Sequence, residues 1–304
     1  MTVLDDLESR PGSTTSLLRT VIGLYLRRLG GWISSADLVA LLEHLDVPAA
    51  RTRTAIARVK QKGLLTPGAR DGAAGYALRP DAIGMLAKGD RRIFAARSME
   101  PGDPWCLVSF TLPEEQRQLR HQLRRRLSGI GCGTVSPALW ICPDFLAGEV
   151  EDILDELGIR ASATLFRTER PRVAGELRGA VAEWWDLDTL AERHREAIAG
   201  LTALLEAPPG ASPDPGADAF ARYLRGVDVW RPLPYLDPGL PSDLLPADWP
   251  GARSTALFAE LTARHAEASQ AFVTASVTRD AASLSRRSVP GSPRSRPDAC
   301  ESTG

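Results

Sequence analysis

Four cysteines, four histidines and three methionines are all the soft metal-ligand side chains in this 304-residue sequence. Cys106, Cys132, Cys142 and Cys300 never stand two to four residues apart, which excludes a zinc ribbon or a dithiol redox motif. Cys106 and Cys142 sit in apolar runs and read as buried, reduced thiols. His44, His121, His194 and His265 have no metal-type spacing. There is no Gly-rich phosphate loop, no GxGxxG behind a strand and no Ser-His-Asp pattern. No metal, no cofactor and no enzymatic activity are therefore expected. No apolar run approaches the roughly 20 residues that span a bilayer, so no membrane partner is expected either. The start, MTVLDDLESRPGS, is acidic and polar rather than signal-like, which points to the cytoplasm. The formal net charge is −1, so neither sign dominates the molecule as a whole.

What charge there is lies unevenly. Between Arg51 and Arg70 stand six cations (Arg51, Arg53, Arg58, Lys60, Lys62, Arg70) and no acid. A local basic segment on a neutral body is the electrostatic footprint of a polyanion site, with DNA the first candidate. The neighbouring periodicity supplies a fold for it. Apolar positions Leu17, Leu18, Val21, Ile22, Tyr25 and Leu29 predict a helix over 16–29 capped by Ser16. Gly30-Gly31 ends it. Ser34 and Ser35 open a second helix with Leu38, Leu41, Leu42 and Leu45 inward. Pro48 suits the first turn of a third, whose inner stripe is Thr52, Ala55, Ile56 and Val59. Gly63 stops that helix. Leu64–Thr66 and Tyr76–Leu78 predict two short strands around a loop over 67–75, and Pro80 opens a connector helix to about Gly89. Three helices followed by a β-hairpin make the winged-helix variant of helix-turn-helix.

At this length two or three domains are expected. A second unit reads as strand 105–112, helix 113–127, strand 138–142, helix 145–157 and strand 161–166, with one more strand open. That order suggests a ferredoxin-like αβ sandwich. A third unit is helical: a long helix over 188–207, a Pro/Gly loop over 208–216, a helix over 217–227, an irregular proline-dense stretch over 231–251 and a helix over 254–269. The fold expected is α+β and multidomain. Its parts are a disordered lead 1–15, a winged helix 16–92, a ferredoxin-like dimerisation domain 100–180, a helical domain 181–275 and a disordered tail 276–304.

Four segments resemble the PaaX-like family of phenylacetic-acid catabolic repressors. They are Arg53-Thr54-Ala55-Ile56 with Arg58; Trp105 to Arg126, with Phe110–Glu114 and the arginine-rich run behind it; Glu183-Trp184-Trp185-Asp186-Leu187; and Leu233–Pro241 followed by Asp248-Trp249-Pro250-Gly251. The resemblance spans about 16–272. It implies a homodimeric repressor on a palindromic double-stranded operator, released by an acyl-CoA such as phenylacetyl-CoA.

On the DNA side, Arg53, Thr54 and Arg58 are expected at base edges, where a guanidinium matches guanine O6 and N7. Arg51, Lys60 and Lys62 are expected at the backbone. Arg70 and Arg79 flank the wing and are candidates for phosphate. For the ligand, Arg124 and Arg125 in the run Arg117–Arg126 suit coenzyme A phosphates or a dimer contact. Trp185, Tyr235 and Trp249 suit an apolar acyl pocket, with Arg222 and Arg225 as charged neighbours; the bland reading of the aromatics is a helical core. Asp237 and Asp248 read as turn formers. Two other classes stay open: a metal-dependent nucleic-acid-processing enzyme built on the ferredoxin-like unit, and a protein-interaction module. Small CRISPR-associated nucleases of similar fold hold a metal with an aspartate at the end of the first strand; here Ser109 and Thr111 occupy that region.

Overall fold

Ser13, not Ser16, caps the first helix: its Oγ accepts the Ser16 amide, and α1 runs Thr14–Val21. In the computed structural model, residues 9–208 and 214–287 are described, with side chains to 277. The expectations for 1–8, for 209–213 in the Pro/Gly loop and for 288–304 with Cys300 lie outside the described residues. Helix α1 continues as a π-helical turn, Ile22–Leu26. Strand β1 (Trp32–Ser34) follows, and Ser34 Oγ caps α2 (Ser35–Glu43) by accepting the Asp37 amide. Helix α3 (Ala49–Gln61) buries the expected stripe Thr52, Ala55, Ile56 and Val59. Gly63 ends it at a φ of +76°.

The hairpin is longer than expected. β2 (Leu65–Arg70) and β3 (Ala73–Leu78) pair throughout, leaving a two-residue turn instead of a loop over 67–75. Asp71 and Gly72 have φ of 51° and 78°, which fits the positive-φ turn that matches strand twist. Pro67 is tolerated because β2 is an edge strand in the order β1-β3-β2. β1 lies tightly on Gly75, where a Cβ would stand 2.3 Å from the Ile33 carbonyl oxygen and 2.6 Å from the Trp32 ring. Helix α4 (Pro80–Phe94) runs five residues past the expected Gly89.

The middle unit contains β4 (Trp105–Phe110), α5 (Arg117–Gly129), β5 (Gly133–Ser136), β6 (Leu139–Pro143), α6 (Ala147–Glu156) and β7 (Ala163–Thr168). The sheet is antiparallel in the order β5-β6-β4-β7. Alternation along β4 and β6 splits the core. Cys106, Val108, Phe110 and Cys142 meet Leu123, Leu127, Val150 and Leu154 of the two helices. Trp105 and Ile141 face the other way, onto Val181, Trp185, Leu240 and Leu244. The chain's own later segments therefore cover the second face of this sheet at β4 and β6, while Phe166 of β7, opposite Leu107, stays exposed.

Those segments are α7 (Leu177–Trp184), α8 (Leu187–Glu206), α9 (Pro215–Trp230), the single turn α10 (Leu233–Leu236) and α11 (Gly251–Arg287). Helix α11 is helical through 276–287, where a disordered tail was expected. It crosses α9 at Gly226, where a Cβ would meet Leu261 Cδ2 at 2.1 Å. Together α9 and α11 close the core of the first unit with Phe220, Leu224, Phe272 and Val273.

A buried carboxylate fixes that junction. Asp228, 1% exposed, accepts the Gly12 amide at 2.6 Å, the Ser16 hydroxyl at 2.6 Å and the Thr20 hydroxyl at 2.8 Å. Arg231 stands 3.4 Å from the same carboxylate and donates to Ser16 Oγ at 2.8 Å. Tyr25 and Ser269 share a hydroxyl hydrogen bond of 2.6 Å, and burial pushes the Tyr25 phenol up. By contrast, the Lys88–Asp152 bridge at 2.6 Å is half exposed and contributes under about 1 kcal/mol. Asp228→Ala is expected to cost about 3–5 kcal/mol, because it removes the acceptor shared by the Gly12 amide and the Ser16 and Thr20 hydroxyls and the negative charge beside buried Arg231. Urea unfolding measures this, and a loss under about 1 kcal/mol would show that the network does not hold the junction.

Candidate nucleic-acid interface

All seven residues expected on the DNA surface, Arg51, Arg53, Thr54, Arg58, Lys60, Lys62 and Arg70, are exposed. Helix α3 carries five of them and Lys62 is its C-cap. Its buried stripe recurs every third or fourth residue and faces the first unit's core, so the residues outside that stripe meet solvent. Arg51, Thr54, Arg58 and Lys62 border one groove, of about 1040 Å3, beside the start of α1. Lys60 leans the other way, with Nζ 5.9 Å from the Tyr76 ring centroid on β3. Arg70 lies over Trp32 of β1 at 5.3 Å. Arg79 is already engaged: its Nε and Nη2 donate to the two oxygens of Asp81, both at 3.0 Å. That fork holds the Asp81 carboxyl below the usual carboxylate range.

The six expected ligand residues are not brought to one pocket. Arg124 donates to the Pro137 carbonyl at 2.7 Å, beside exposed Arg125 on α5. Its neighbours Arg120 and Arg126 pair with Glu114 and Glu156. Trp185 is core: Nε1 donates to the Gly131 carbonyl at 2.9 Å, and its ring lies on Gly133, where a Cβ would meet it at 2.6 Å. Tyr235 is buried with Arg92 over its ring at 5.6 Å. Trp249 stands edge-on to His194, 5.6 Å between centroids. Arg222 pairs with Asp218 at 2.7 Å and donates to the carbonyls of Leu204, Ala207 and Pro208, so it closes the C-terminal end of α8. Arg225 donates to Leu45 and Asp46 of the first unit. These side chains serve packing and helix ends.

A different cavity, of about 630 Å3, opens where the three units meet. Arg91 and Arg97 stand on its connector wall, Phe145 on α6, and Trp230 and Leu233 on the third unit. Arg97 lies over the Phe145 ring at 4.8 Å. Trp230 Nε1 donates to the Ile93 carbonyl at 3.0 Å. Its lining carries both signs, with Glu149, Glu151, Asp152, Asp155 and Asp237 beside Lys88, Arg91, Arg92 and Arg97, and its position was not legible in the sequence because that lining comes from segments as far apart as Lys88 and Thr255.

The same wall carries a Ser–His–Asp chain that sequence spacing did not show. His194 Nδ1 lies 2.7 Å from Ser254 Oγ, and Nε2 lies 3.0 Å from Asp237 Oδ2. Asp237 also accepts the Gly239 amide, as a turn former does. The arrangement is structural rather than nucleophilic: Ser254 is fully buried and its hydroxyl donates to the Gly251 carbonyl of its own helix. Cys106, Cys132 and Cys142 are buried free thiols. The adjoining Cys142 thiol and burial push the Cys106 thiol up, away from reactivity. Among the described residues no group of three or more His, Cys, Asp or Glu can hold a metal ion. No described helix is long and apolar enough to cross a membrane.

Three family models match this chain in succession. Residues 13–81 match "PaaX-like protein", 99–178 "PaaX protein central Cas2-like domain" and 185–275 "PaaX-like protein C-terminal domain". The transcriptional repressor PaaX of Escherichia coli (strain K12) is 28% identical over 275 residues, 86% of this chain and 84% of that relative. Among solved structures, the uncharacterized protein Rv0674 from Mycobacterium tuberculosis shares the fold. Its TM-score is 0.53 at 20% identity, covering 86% of this chain and 99% of that one. With a transcriptional repressor among its relatives and the three family models matched in order along most of its length, the chain belongs to the PaaX-like family.

Proposed function

We propose that this protein is a cytoplasmic, DNA-binding transcriptional repressor whose first unit is a winged helix and whose middle unit is ferredoxin-like. One observation carries the DNA reading: the cations of α3 and its C-cap stand exposed on the two flanks of the helix's outward face, beside a hairpin and with no acid among them. An α-helix with that face fits the major groove, and the hairpin then lies along the backbone. The E. coli relative's printed role as a transcriptional repressor supports the regulatory half. The protein acts as a homodimer on an inverted repeat. The second face of the middle sheet is covered from within the chain at β4 and β6 but open at the edge strand β7, where Phe166, opposite Leu107, is 55% exposed, and a second copy meets it there.

The inducer is an acyl-CoA, and the three-unit cavity is its seat. Phe145, Trp230 and Leu233 offer apolar cover; the lining is of mixed sign, with Arg91 and Arg97 available to an anionic group and the α6 carboxylates Glu149, Glu151, Asp152 and Asp155 also on the cavity wall. Trp230 ends the helix that carries Asp228, so a ligand against it bears on the grip that α9 keeps on Ser16 and Thr20 of α1. Induction follows if the ligand prefers the arrangement in which that grip is changed.

Selection from a random duplex library should enrich an inverted repeat, and Arg53→Ala should relax it at one base pair, by about 1–3 kcal/mol. No enriched sequence, together with salt-independent retention, would sink the DNA reading. For the inducer, phenylacetyl-CoA and related thioesters should raise the melting temperature and weaken operator binding, and Arg97→Glu should abolish both effects. An inducer response unchanged in Arg97→Glu would put the ligand elsewhere.

A further inference from the structure

The groove between α1 and α3 has a lining of one sign. Arg10, Arg51, Arg58 and Lys62 border it together with Arg19, and no carboxylate does. Thr14 and Thr15 bring hydroxyls and the first two amides of α1 to its rim. Ser13 takes the Ser16 amide, and the Leu17 amide goes to the Ser13 carbonyl, so the amides of Thr14 and Thr15 have no acceptor within the helix. A helix start beside five cations is a seat for a phosphate group.

The azimuth of each α3 residue decides what it can touch. At about 100° per residue, the direction opposite the buried stripe is taken by Ala50, Thr54, Ala57 and Gln61. Arg51, Arg58 and Lys62 lie on one flank, the α1 side; Arg53 and Lys60 lie on the other, towards the hairpin. When the outward stripe enters a major groove, residues on the α1 flank meet its wall, where a phosphate backbone runs, and not its floor. Small residues at Ala50 and Ala57 let the helix sink far enough to bring that wall against the α1 start.

We infer that the α1–α3 groove binds consecutive backbone phosphates of one DNA strand, through Arg10, Arg51, Arg58, Lys62 and the first turn of α1. Arg58 is thus a backbone clamp and not a base reader, and the N-terminal segment at Arg10 is part of the DNA surface. This rests on the DNA-binding reading above.

The test uses the full chain, a mixed-sequence duplex of roughly 30 bp and a duplex enriched by the wild type from a random library, with binding followed by fluorescence anisotropy between about 50 and about 200 mM salt. Arg10→Ala and Arg58→Ala should each weaken both duplexes by the same factor, about tenfold, and reduce the salt slope of log K by about 1. Library selection with Arg58→Ala should return the wild-type sequence, whereas Arg53→Ala should not. Both sites are exposed, so thermal melting should be unchanged. An altered consensus with Arg58→Ala, or wild-type affinity and salt slope in both variants, overturns the inference while leaving DNA binding intact. If the wild type itself shows no salt-dependent binding to either duplex, the DNA reading fails and takes this one with it.

Discussion

A carboxylate buried between two domains is the constraint on which the rest of this structure depends. An ionised aspartate removed from water costs several kcal/mol unless its lone pairs are filled. At Asp228 an amide, two hydroxyls and a guanidinium fill them, and the donors come from both ends of the sequence. The pairing tolerates little displacement, because moving α1 by the length of a hydrogen bond would strand the charge. Apolar burial by Phe220, Leu224, Phe272 and Val273 makes the same junction adhesive. The carboxylate makes it specific. It seats the first unit in one orientation on α9, and so sets where α3 points.

The parts of this fold that obey local rules could be read from the sequence. The inner stripe of α3, the cap at Ser34, the stop at Gly63 and the strand over 105–110 each depend on neighbours within a few residues. Local rules failed where a stronger distant partner took the side chain. Ser16 looked like a cap but is the ligand of Asp228, 212 residues away. The strands beyond Leu65 were hidden by Pro67 and Gly68, poor strand formers that the Asp71-Gly72 turn holds in register. β5 is short and hangs on its pairing with β6. His194, Ser254 and Asp237 gave no motif because the contacts span 60 and 43 residues.

The candidate site divides in the same way. The proposed DNA surface was legible because one helix carries most of it, and exposure there follows from periodicity. The ligand residues were not, since an arginine or tryptophan in sequence does not show what it will touch. Arg222 is absorbed by the carbonyl end of α8, and Trp185 by two glycines of the middle unit. The cavity proposed in their place exists only once three units meet, walled by a connector that looked like mere linkage. The helix that ends in this cavity, α9, also holds α1. The proposed ligand seat and the grip on α1 thus share the last turn of one helix.

The connector between the first and middle units is fastened along the way. Met99 donates to the Gly239 carbonyl at 2.7 Å, and a Cβ at Gly239 would stand 2.3 Å from the Arg97 oxygen. Only a hydrogen atom fits there, so the strap passes through a buckle on the third unit. A strap so buckled has no slack to share. The strap ties the covalent link between the first unit and the middle sheet to the third unit. Any change in the angle between them has to be made by the third unit, which thereby acts as the gearbox of the molecule and not as its appendage.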